Sequence, residues 1–86
     1  MEHARKIKII KEGKESNICY YVKRKGKSQF GCVMYNVGIK TESETKEIDD
    51  FSPSLEEAIG LCDYLYHENV SAGNLFLAAE EFIVTL

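Results

Sequence analysis

The chain has no tryptophan, a single proline and no lysine or arginine after position 46. Without tryptophan, a domain of 86 residues must build its core from Ile, Leu, Val, Phe and Tyr. That core is thin, and self-association is a natural way to hide leftover apolar area. No uncharged stretch approaches the roughly 20 apolar residues that a bilayer-spanning helix needs. The opening Met-Glu-His-Ala-Arg-Lys lacks the apolar segment of a secretory signal. A cytoplasmic protein without membrane contact is the expectation. Cys19, Cys32 and Cys62 are odd in number and form no close pair. A zinc site or redox dithiol needs two thiolates converging on one atom, so no metal is expected and the thiols read as small buried hydrophobes. There is no Walker loop, G-x-G-x-x-G, H-E-x-x-H or G-x-S-x-G motif, so neither a cofactor nor an enzymatic activity is expected.

What is present is divided by position. Residues 1 to 51 carry eleven basic and eight acidic groups, a net of +3, whereas residues 52 to 86 carry six acids and nothing basic, a net of −6. Such polarity concerns surfaces and partners more than chemistry.

The hydrophobic period divides the chain at nearly the same place. Arg5–Lys11 alternates, with Ile7 and Ile9 on one face and Lys6 and Lys8 on the other, until Ile10 breaks the pattern. Glu12–Ser16 is a turn containing Gly13. Asn17–Arg24 is a second strand, setting Ile18, Tyr20 and Val22 against Cys19, Tyr21 and Lys23. A third runs from about Phe30 to Lys40, with Val33, Tyr35, Val37 and Ile39 on one face. Gly31 and Gly38 within it predict a bulge or a close backbone approach. Thr45–Asp50 forms a short fourth strand, and the short connections predict an antiparallel meander.

From Ser52 the period becomes helical. Either Ser52 caps with Pro53 at the first helical position, or Ser54 caps with Glu57 closing a capping box. Leu55, Ala58, Ile59, Cys62, Leu65 and Tyr66 form one apolar stripe, and the helix is expected to end near His67–Asn69. Ser71 is the expected N-cap of a second helix whose stripe is Leu75, Ala79, Phe82, Ile83 and Leu86. Phe82 and Ile83 are expected to be buried, one on the first helix and the other on the sheet or a second subunit. Phe76, Leu77 and Val84 lie off the stripe, so this helix is apolar on more than one side. The reading is a single α+β domain over 1–86: a three- or four-stranded antiparallel meander with a C-terminal two-helix hairpin on one sheet face. Tyr20 or Tyr21, depending on register, should appear on the other face.

The run from Tyr20 to Leu86, about three quarters of the chain, resembles a group of small proteins of clostridia and other Firmicutes, a family of unknown function. Phe30-Gly31 opening a strand, Ile48-Asp49-Asp50-Phe51-Ser52, the helix Leu55–Tyr66, the link Glu68-Asn69-Val70 and the ending Glu81-Phe82-Ile83 carry the resemblance. It implies the α+β fold and transfers no site.

The candidate interaction surface is the N-terminal hairpin. Nine positive charges stand against three acids in the first 27 residues. Lys6, Lys8, Lys23, Arg24, Lys25 and Lys27 would gather near the rings of Tyr20 and Tyr21. Phosphates are held by such charge and bases stack on such rings. The whole chain is acidic, however, with pI near 5.3, and edge-strand lysines also serve to block sheet-to-sheet aggregation. Three readings stay open for the hairpin: solvated lysines, a protein-binding or self-association surface, and a nucleic-acid surface. Glu56, Glu57, Asp63, Glu68, Glu80 and Glu81 read as a solvated face, and His67 as a helix-end cation. The expected function is a small protein-interaction or regulatory module, with a homodimer among its forms; the alternative is a nucleic-acid-binding accessory protein.

Overall fold

A computed structural model describes residues 8–12, 17–27 and 32–85. The expectations that fall on Arg5–Ile7, on the turn around Gly13, on Phe30-Gly31 and on Leu86 lie outside the described residues. Four strands, β1 (Lys8–Glu12), β2 (Ile18–Lys27), β3 (Val33–Thr41) and β4 (Thr45–Ser52), form one antiparallel sheet in sequential order. Two helices follow: α1 (Leu55–His67) and, after a 3-10 turn at Ala72–Asn74, α2 (Leu75–Val84). Both pack on the same side of the sheet, α1 against all four strands and α2 against α1 and β4. The meander and the C-terminal helical hairpin are therefore as the pattern of periods predicts.

Strand alternation sorts the side chains. Tyr20 and Val22 of β2, Val37 and Ile39 of β3 and Ile48 of β4 point toward the helices, where they meet Ala58, Leu61, Cys62 and Leu65 of α1 and Leu75 of α2. This single cluster is the core. Leu61 belongs to it fully although it lies off the expected stripe, while Leu55, Ile59 and Tyr66 are only partly buried. The buried face of α1 is thus turned by about half a residue step, roughly 50°, from the one drawn through its apolar residues. Tyr20 is wholly buried there. Its hydroxyl donates to the Val70 carbonyl at 2.8 Å, and its ring meets Tyr66 edge-on, with centroids 6.3 Å apart. One tyrosine thereby ties the sheet to the link between the helices.

The helix ends are locally encoded. Ser54 caps α1 by accepting the Glu57 N–H at 3.2 Å, but Glu57 does not reach back to Ser54 directly. Ser52 stands between them: its hydroxyl accepts the Ser54 N–H at 2.9 Å and donates to Glu57 Oε1 at 2.7 Å. Of the two alternative caps, Ser54 is therefore the one used; Pro53 is not the first helical residue, and Ser52 supports the cap from the end of β4. At the other end, Asn69 adopts φ 53°, its N–H bonds Tyr66 O at 3.2 Å, and the Val70 N–H bonds Leu65 O at 3.1 Å. That is a Schellman ending with asparagine in the left-handed position. Ser71, expected to cap the second helix, instead precedes the 3-10 turn and makes no side-chain cap bond. Helix α2 begins only at Leu75.

Candidate functional site

The hairpin surface proposed from sequence is split by the pleat of the sheet. Tyr20 is in the core and reaches no surface, and Arg24, four residues on, follows it to the helix side opposite Tyr35 of β3. Tyr21, Lys23 and Lys25 lie on the outer side. Lys8 pairs in register with Lys23, Lys27 ends β2 opposite Val33, and Lys6 lies outside the described residues. Period-2 geometry forbids consecutive residues such as Tyr20 and Tyr21 from sharing a face.

On that outer side the lysines meet acids of β4. Lys23 Nζ is 3.4 Å from Glu47 Oε2; Lys25 Nζ is 3.5 Å from Asp49 Oδ2 and 3.2 Å from Asp50 Oδ1. The β3–β4 register creates this meeting. Tyr35 pairs with Ser52 but Val37 with Ile48, so the single residue Asn36 faces the longer arc Asp49–Phe51, with Asp50 held at φ 52°. Asn36, only 2% exposed, directs its amide to the bulge and to Glu47 beside it. Nδ2 donates to Glu47 Oε2 (2.6 Å) and to Asp49 Oδ1 (2.7 Å), and Oδ1 accepts the Asp50 N–H (2.8 Å). The Tyr21 hydroxyl completes the network by donating to Glu47 Oε1 at 2.5 Å. Its ring end lies against Gly38, its cross-strand partner, where any β-carbon would overlap it. Gly38 is therefore the close approach expected of a strand glycine.

Protonation follows from these contacts. Burial pushes the Tyr21 phenol up, and the hydrogen bond to the Glu47 carboxylate and its charge push it further. Burial alone would raise the Glu47 carboxyl, but the hydrogen bonds from Tyr21 and Asn36 and the nearby Lys23 ammonium outweigh it and hold it below the usual range. Beside the network is an open concavity of about 530 Å³, lined by Cys19, Tyr21, Lys23, Lys40, Glu42 and Glu47 among others. Its lining mixes both signs of charge. Among the described residues no group of three or more His, Cys, Asp or Glu could hold a metal ion.

Cys62 is buried in the core, while His67 stands exposed at the end of α1 with its ring 5.2 Å from that of Tyr66. Cys32 departs from the expectation of burial: it is exposed, with its sulfur 3.8 Å from that of Met34. Among the described residues no helix is long and apolar enough to cross a membrane.

A second surface is formed by α2, and here the largest departure from the sequence reading occurs. Phe82 packs on α1 as expected, its ring 5.7 Å from that of Tyr64 and in contact range of Gly60, but it is half-buried where full burial was expected. Ile83 is not buried. It is 53% exposed, together with Phe76 and Leu77 at 58% each and Val84 at 83%. The helix sinks Leu75, Ala78 and Ala79 toward the sheet and α1, and a ten-residue helix cannot turn its opposite side inward as well. At 3.6 residues per turn, Phe76, Leu77, Glu80, Ile83 and Val84 occupy an arc of about 120°. A shallow groove along this arc is lined by Leu77 and Val84, with Glu80 and Glu81 flanking them. A second groove continues past Glu81 to Tyr64 and Glu68. The signal was legible in the sequence as Phe76, Leu77 and Val84 off the main stripe; only Ile83 was assigned to the wrong side.

Comparison with known protein families, curated proteins and solved structures gave no match to this chain.

Proposed function

We propose that this protein is a small interaction module whose docking surface is the outer face of α2. The observation that carries the reading is the apolar arc of Phe76, Leu77, Ile83 and Val84. Isolated exposed hydrophobes are ordinary, but several contiguous ones on one rigid element mark a binding surface. The alternative, nucleic-acid binding by the hairpin, is weaker on geometry. Lys23 and Lys25 already face Glu47, Asp49 and Asp50, and Tyr20, one of the two rings invoked for stacking, is in the core. A phosphate backbone would have to displace those carboxylates before counterion release favoured it. Regulation by a partner, rather than catalysis, fits a surface of this kind.

Sedimentation at micromolar concentration, with retention of host proteins on the tagged chain, tests the reading. Either self-association or a retained partner is expected, lost when Leu77 and Val84 are both replaced by Gln. A strict monomer that retains nothing overturns it. Binding of single-stranded DNA or RNA that weakens steeply with salt and disappears with Lys23→Glu/Lys25→Glu would establish the alternative instead.

A further inference from the structure

The kind of partner can be read from the charge around the apolar arc. Glu80 lies inside the arc, and Glu81 and Glu68 line the grooves beside it. No described lining residue of either groove is basic. Helix α2 has no basic residue in its last turn, so the negative end of its dipole adds to the same field. From Glu47 onward the sequence carries no lysine or arginine. Resting on the docking reading above, we infer that the α2 face receives a short amphipathic helix of another protein, apolar on one side and flanked by Lys or Arg.

Size and symmetry both argue for a short foreign segment over a second copy. Ten helical residues extend about 15 Å at 1.5 Å each, and a strip of that length about 10–12 Å wide is far below the ~800 Å² per partner of a stable interface. It accommodates two to three turns of a helix, whose i, i+3, i+4 and i+7 side chains match anchors spaced like Phe76/Ile83 and Leu77/Val84. An isologous pair of α2 helices would bring Glu80 of each copy into the shared apolar strip with no cation on either helix to meet it. Head-to-tail pairing with the hairpin of the next copy would have to draw Lys23 and Lys25 away from Glu47, Asp49 and Asp50. A separate basic helix meets neither obstacle. Such an interface is weak and salt-sensitive, suited to reversible docking.

The test uses three labelled synthetic 14-residue peptides and the full chain: a Leu/Lys amphipathic helix, its Leu/Glu counterpart, and a scrambled Leu/Lys peptide of identical composition. The ordered Leu/Lys peptide is expected to bind in the micromolar range, at least tenfold tighter than either other peptide, and to weaken severalfold between 50 and 300 mM salt. Glu80→Lys/Glu81→Lys should reverse the preference toward the Leu/Glu peptide, and Leu77→Gln/Val84→Gln should remove binding while circular dichroism stays unchanged. Equal binding of the ordered and scrambled Leu/Lys peptides, a preference unchanged by the charge reversal, or no binding at all overturns the inference. Concentration-dependent dimers that Leu77→Gln/Val84→Gln dissolves would overturn it too, while leaving the docking reading intact, because the occupant would then be a second copy.

Discussion

Replacing Asn36 by Ala removes a buried side chain whose amide ties the β4 bulge to β3. The Asp50 N–H loses its 2.8 Å acceptor at a residue with φ 52°, and Glu47 and Asp49 each lose a donor. An unsatisfied buried amide costs about 1–3 kcal/mol. Glu47 keeps Tyr21 and Lys23, and Asp49 keeps Lys25, so each of those lost bonds contributes about 0.5–1 kcal/mol after water compensates. The sum is about 3 kcal/mol, a large part of the roughly 4–13 kcal/mol expected of a chain this long. Urea unfolding followed by circular dichroism measures it directly, with an unchanged slope showing that the same surface unfolds. Asn36→Asp provides the control. It adds a third carboxylate beside Glu47 and Asp49, so its deficit should equal or exceed that of the Ala variant at pH 7 and shrink as the pH falls and the carboxylates protonate. A loss below about 1 kcal/mol in both variants would refute the clamp.

The raised Tyr21 phenol and lowered Glu47 carboxyl predict opposite limbs of one stability profile. Below pH 10 the Tyr21 contribution is complete, and it is lost as pH rises toward the raised native value; the Glu47 contribution is complete above its ordinary value of 4.5 and is lost as pH falls through the lower native one. Tyr21→Phe should flatten the alkaline limb in pH-resolved thermal unfolding, and an unchanged limb would place its origin elsewhere. Gly38→Val should displace the Tyr21 ring and destabilise by about 2–3 kcal/mol by denaturant titration. Phe82→Ala should cost about 2–3 kcal/mol, less than a wholly buried phenylalanine, whereas Glu80→Ala and Ile83→Ala should each change stability by less than about 0.5 kcal/mol. A loss at Ile83 equal to that at Phe82 would mean that α2 is turned the other way.

Architecture was legible because period and punctuation agree along the chain. The switch from alternation in Ile18–Lys23 to helical spacing in Leu55–Tyr66 gives the α+β order, and short turns give the meander. Local chemistry also reads out: Ser54 caps α1, and Gly38 marks a close approach. What sequence could not supply was everything fixed by register. Whether Tyr20 or Tyr21 faces outward depends on pairing across strands, and a one-residue slip exchanges them. The pairing of Lys23 with Glu47 and of Lys25 with Asp49 joins residues 24 apart, through a bulge that no turn residue announces. Treating the basic hairpin in isolation therefore overstated its free charge. The α2 surface was half legible: excess apolar residues were evident, but Ile83 was drawn inward because periodicity cannot tell a buried stripe from an exposed one on a helix apolar nearly all round.

Competition between the two surfaces in the native host is the most direct test of the docking role. Tagged wild type, Leu77→Gln/Val84→Gln and Lys23→Glu/Lys25→Glu would be expressed at equal levels, each confirmed as folded, and the co-purifying proteins quantified side by side. The account predicts a partner retained at comparable levels by wild type and the hairpin variant and depleted at least tenfold from the α2 variant. Retention by the α2 variant, with loss from the hairpin variant, would contradict it and return the binding surface to the sheet.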